Sequence, residues 1–61
     1  MKKYLVEYFE NSRTFKHSHK YFDTDIEVID FIKKLEDKNF IVLELDSLGY
    51  YVLNSTFWDF R

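Results

Sequence analysis

Residues 24–35 read TDIEVIDFIKKL. Val28, Phe31, Ile32 and Leu35 recur at three- and four-residue spacing, with Ile29 alongside, which sets them on one stripe of an α-helix. Asp30, Lys33, Lys34, Asp37 and Lys38 fall on the opposite side. Thr24 is followed three residues later by Glu27, a capping-box spacing. Asp23 and Asp25 add negative charge at the positive end of the helix dipole. Lys38 falls in the expected last turn, and Asn39 suits a left-handed C-terminal cap. The segment has no Ala and several β-branched residues, so its intrinsic propensity is modest. It needs a sheet to pack against.

The flanking sequence supplies one. Residues 3–10, KYLVEYFE, are rich in aromatic and β-branched types and read as a strand. Residues 13–22, RTFKHSHKYF, alternate, so Phe15, His17, His19 and Tyr21 share a face while Thr14, Lys16, Ser18 and Lys20 share the other. Taking Asn11-Ser12 as a two-residue turn pairs Glu10 with Arg13 and Glu7 with Lys16. That register sets Tyr4, Val6 and Tyr8 beside Phe15, His17 and Tyr21 as a core face, and a slip of one residue would reverse it. After the helix, residues 40–46, FIVLELD, direct Ile41, Leu43 and Leu45 one way and Phe40, Val42, Glu44 and Asp46 the other. Asp46-Ser47-Leu48-Gly49 is a turn carrying the chain's single glycine, and residues 50–54, YYVLN, form a fourth strand. The tail STFWDFR reads equally as a short strand, a helical turn begun at Ser55 or Thr56, or an aromatic segment folded over the core. The expected fold is a single α+β domain over residues 1–61. It has a four-stranded, mainly antiparallel sheet in the order β-β-α-β-β, a short C-terminal segment, and one helix packed on one face.

Thirteen of the 61 residues are Phe, Tyr or Trp. A chain of this length buries only about 60% of the surface its unfolded form exposes, so part of this ring surface is expected to face a partner. Cysteine is absent, which excludes disulfides and thiolate metal sites as staples. Met1-Lys2-Lys3 resembles the start of a signal peptide, but Glu7 and Glu10 interrupt any apolar core for one. No apolar run reaches membrane-spanning length. The expectation is a cytoplasmic chain with no membrane partner and no cofactor. The net charge of −2 is divided unevenly: residues 1–22 carry +3 and residues 23–61 carry −5. Residue types with AT-rich codons total 27, against three with GC-rich codons, which suggests an AT-rich bacterial genome, phage or mobile element.

Glycine-rich phosphate loops, nucleophile elbows and paired-carboxylate signatures are not found in the sequence. His17 and His19 project to one strand face, but a metal or catalytic site needs further groups. The expected function is therefore a non-enzymatic protein-binding module. A phage or mobile-element accessory protein that inhibits or modulates a host factor fits this reading, and so does self-association as a homodimer. Its expected contact residues are the aromatic cluster Tyr50, Tyr51, Phe57, Trp58 and Phe60. The alternative is single-stranded nucleic-acid binding by the basic first hairpin. There Tyr4, Tyr8, Phe15 and Tyr21 would stack on bases, and Arg13, Lys16 and Lys20 would meet phosphates.

Overall fold

Thr24 sits in extended backbone ahead of the helix, at φ −127° and ψ 156°. Its Oγ1 accepts from the Glu27 backbone N–H at 3.3 Å and donates to Glu27 Oε1 at 2.9 Å, so the capping pair forms as its spacing requires. The computed structural model describes residues 2–11, 16–35 and 38–60, with backbone alone for Asn11, Asp59 and Phe60. The helix, α1, spans Asp25–Lys34 with Leu35 as its C-cap. It is shorter than the sequence suggested, and Asn39 does not cap it. The Asn39 carbonyl instead accepts from the Phe9 N–H at 3.1 Å, which ties the strand after the helix to the first strand.

The strands are β1 (Tyr4–Asn11), β2 (Lys16–Phe22), β3 (Phe40–Leu45) and β4 (Tyr51–Leu53). They form one antiparallel sheet in the order β2-β1-β3-β4. The sheet and single helix are those expected from the sequence. Between β3 and β4, Asp46 Oδ1 accepts from the N–H groups of Leu48 and Tyr50, each at 2.9 Å. Gly49 takes φ +91°, a conformation that a side chain disfavours. The tail resolves as a 3-10 helix, Ser55–Phe60. Asn54 starts it by accepting from the Thr56 N–H, while its own side-chain amide donates to Glu44 at 3.0 Å.

The first hairpin departs from the expected register. Glu7 pairs with His19 rather than Lys16, and Tyr4 pairs with Phe22. This is a shift of three residues along β2, and an odd shift exchanges the faces of a strand. Tyr4, Val6 and Tyr8 therefore share their face with Ser18, Lys20 and Phe22, and His17, His19 and Tyr21 lie on the other side. Arg13 and Phe15, with the connecting turn, lie outside the described residues. Burial explains the outcome. The expected register would drive imidazole under the helix, where polar groups lose water; the observed one buries Phe22 instead. Lys20 comes to the helix side as a consequence, but on an edge strand it can reach water. Its Nζ lies 5.5 Å from the Phe31 ring centroid and 5.9 Å from that of Phe22, so its stem covers apolar surface while its charge stays solvated.

The register shifts again between Phe9 and Asn11, around Glu10. Lys16 Nζ lies 3.5 Å from the Glu10 carboxylate. A hydrogen bond from the Ser18 hydroxyl, helped by the Lys16 charge, holds the Glu10 carboxyl below its ordinary pKa. At the other end of β1, Lys2 Nζ lies 2.9 Å from Asp23 Oδ2, and this hydrogen-bonded pair raises the Lys2 pKa.

The core lies between α1 and one face of the sheet. Val28 and Ile32 of the helix sit over Val6 and Val42, neighbours in the central strands, and these four are fully buried. Tyr4, Phe22, Leu35, Phe40 and Phe57 surround them. Thr24→Ala should lower stability by about 1 kcal/mol in urea denaturation, the usual cost of a lost N-cap. Ile26→Ala, at a position 68% exposed on the same helix, should change it by less than about 0.5 kcal/mol.

Candidate functional site

Alternation along a strand fixes what the second face of the sheet displays. With Val6, Val42 and Phe22 under the helix, the opposite face carries Leu5, Glu7 and Phe9 from β1. It carries His17, His19 and Tyr21 from β2, Ile41, Leu43 and Leu45 from β3, and Tyr51 and Leu53 from β4. Register sorts these into rows. Tyr21, Leu5, Leu43 and Leu53 form one row across all four strands. His19, Glu7 and Ile41 form the next. Among the described residues no helix or strand packs on this face, since both α1 and the 3-10 helix lie on the core side. Leu53 is 57% exposed and Tyr21 45%; Leu5, Ile41, Leu43 and Leu45 are partly exposed.

Rings line the face along β2, and at one end Tyr21 and Tyr51, from the two opposite edge strands, reach toward each other across β1 and β3. Phe9 and His17 stack tilted at 4.5 Å between centroids. His19 meets Tyr21 edge-on at 5.7 Å, and Tyr21 meets Tyr51 at 5.8 Å. The Tyr51 hydroxyl donates to the Lys2 carbonyl at 2.6 Å, which fastens β4 to the start of β1. The polar groups of the face gather on one side: His17 and His19 lie on edge strand β2, with Glu7 next to it opposite His19. The centre, around β3, is aliphatic.

The structure divides the residues singled out from sequence. Phe57 is buried, 5.4 Å edge-on from Tyr4, and is a core residue rather than a contact residue. Trp58 is 52% exposed, on the helix that packs on the core side. Tyr50 is 69% exposed, in the chain between Gly49 and β4. Tyr51 alone of the cluster joins the uncovered face, and the Phe60 side chain lies outside the description. The four whose side chains are described do not assemble into one patch. The nucleic-acid set is likewise divided. Tyr4 is buried, Tyr8 packs edge-on at 5.1 Å against Phe31, and Tyr21 faces the other way, so no common stacking platform forms among the described residues. His17 and His19 do share a face as expected. No group of three metal-capable side chains occurs among the described residues.

Leu5, Leu43 and Leu53 were not among the sequence candidates. Alternation in residues 40–46 already grouped Ile41, Leu43 and Leu45, and the missing information was which side the helix would take. No family model matches the chain, nor does any curated protein or solved structure. No helix among the described residues is long and apolar enough to cross a membrane.

Phe57→Ala should destabilise the fold by about 3–5 kcal/mol, the cost of emptying a buried aromatic site. Trp58→Ala and Tyr50→Ala should stay within about 0.5 kcal/mol. Thermal and urea denaturation separate the two classes.

Proposed function

We propose that this chain is a small non-enzymatic protein-binding module that engages its partner through the uncovered sheet face. The observation that carries this reading is the row Leu5–Leu43–Leu53, three leucines abreast beside the Tyr21–Tyr51 ring pair, with no described helix or strand over them. Contiguous apolar surface of this kind is uncommon on monomers and marks contact sites. Apolar side chains held rigidly on a sheet lose little further entropy on docking. The aromatic pair that crosses one end of the face, Tyr21 and Tyr51, is of the kind that contributes most at protein interfaces. The AT-rich residue usage favours an accessory protein of a phage or mobile element that acts by occupying a surface of a host factor.

The experiment is affinity capture from an AT-rich bacterial host extract, with the wild-type chain and two variants as bait. Leu43→Lys places a charge at the centre of the face and should abolish capture. Lys16→Glu, on the guarded edge, should leave it intact. Equal capture by all three would overturn the reading. Circular dichroism of each bait establishes that it is folded.

A further inference from the structure

We propose that the partner that closes this face inserts an arginine side chain between Glu7 and the Phe9–His17 ring pair. The inference rests on the protein-binding reading above and names the chemistry that its partner brings. It starts from one carboxylate. Glu7 stands exposed on the uncovered face, two residues from Leu5 along β1, opposite Ile41 of β3 and opposite His19 of β2. With histidine counted as neutral, it is the one formal charge among the described strand residues of this face. Among the described residues no hydrogen bond or ion pair holds its carboxylate.

Covering the leucine row covers Glu7 as well. Same-face neighbours along a strand lie about 7 Å apart, so a surface that rests on Leu5, Leu43 and Ile41 strips water from the carboxylate beside them. An apolar surface there would leave that charge buried and unpaired, which opposes association. An acidic one would add like-charge repulsion. The face therefore rejects partners that are apolar or acidic at this point, and accepts one that sets a cation over Glu7.

The surroundings of Glu7 decide which cation. Glu7, Phe9, His17 and Ile41 border a cavity of about 200 Å³. Tyr8 and Phe40 line it too, and since their side chains turn to the helix they supply backbone to its floor. Pockets for drug-sized ligands hold about 300–1,000 Å³, so this one suits a single side chain. Its walls are mostly apolar, and the Phe9 and His17 rings stand 4.5 Å apart at its side. A lysine ammonium is strongly hydrated and would lose that water here. A guanidinium is planar and more weakly hydrated; it stacks on rings and meets a carboxylate through two parallel N–H donors. Its methylene stem can lie along Ile41. Arginine is also enriched at protein interfaces, where lysine is depleted. An exposed ion pair is weak in water, but a docked partner excludes water and the attraction grows. Glu7 thus bears more on which partner fits than on how tightly a free arginine binds.

Nuclear magnetic resonance titration of the full chain with N-acetyl-arginine amide, and with its lysine and norleucine counterparts, tests the pocket. The arginine probe should shift the Phe9, His17 and Ile41 amides saturably, with a dissociation constant of millimolar order. The lysine probe should bind at least about fivefold more weakly, and the norleucine probe should give no saturable shift. Glu7→Gln keeps the shape and removes the charge, and should weaken the arginine probe by about tenfold. As bait in the capture experiment, Glu7→Gln should retain less than about a tenth of the protein that the wild type captures, with an unchanged circular dichroism spectrum. Absence of a localised shift with the arginine probe, or equal binding of the lysine probe, overturns the assignment. So does a Glu7→Gln bait that captures as much as the wild type or more, since an apolar partner gains when the charge is removed. If Leu43→Lys abolishes capture and Glu7→Gln does not, the protein-binding reading stands and only the arginine assignment fails. If capture is indifferent to both variants, both readings fail, whatever the probes do.

Discussion

One helix can cover one side of a sheet, and the rest of this structure follows from that limit. The ten residues of α1 give a rod of about 15 Å, enough to roof the two central strands and reach Phe22 on β2. Every strand has a period of two, so each apolar residue placed beneath the helix fixes what its neighbours present on the far side. Val6 under the roof puts Leu5 outside it; Val42 under the roof puts Leu43 outside it. The sequence is apolar at both positions of each pair. The sheet thus has two apolar faces, and the described residues hold one α-helix.

The same limit separates what the sequence made legible from what it did not. The helix start was readable because Thr24 and Glu27 act through local hydrogen bonds that need no tertiary contact. The β3–β4 turn was readable because Gly49 and Asp46 carry its requirements themselves. The alternation of Ile41, Leu43 and Leu45 against Phe40 and Val42 was also plain. The faces of the first hairpin were not. Their assignment depended on which β2 residues meet β1, with Glu7 opposite His19, and on a register shift at Glu10. Local pattern could not rank Phe15–His17–Tyr21 against Ser18–Lys20–Phe22 for burial, since each set mixes aromatic and polar residues. The comparison turns on reach: opposite Val6, the long stem of Lys20 carries its charge past the side of the helix, whereas the shorter imidazole of His17 in that place would not.

The candidate site followed the same error. Aromatic residues drew attention because rings dominate interfaces, yet in a domain this small rings are also what fills the core. Tyr4, Phe22, Phe40 and Phe57 are consumed that way. The surface left over is defined by leucines, whose individual exposure would be unremarked. Its significance comes from adjacency across strands, which is a property of register and not of any one segment.

The treatment of the sheet edges sharpens the contrast with the face. An exposed edge strand invites pairing by its unpaired backbone groups, and proteins discourage this with lysines and short strands. Here β2 carries Lys16 and Lys20, and β4 is only three residues long. Both edges thus bear features that oppose strand addition. The broad face has no comparable guard: its charged and imidazole groups are confined to the β2 side, and the β3 centre is aliphatic. A sequence whose only constraint was to stay apart from other chains would have little reason to protect its edges and leave Leu43 uncovered, because a single lysine there would disturb no packing under the helix. The physical consequence is directional: the edges oppose open-ended strand addition, and the apolar surface left uncharged is the β3 side of the broad face.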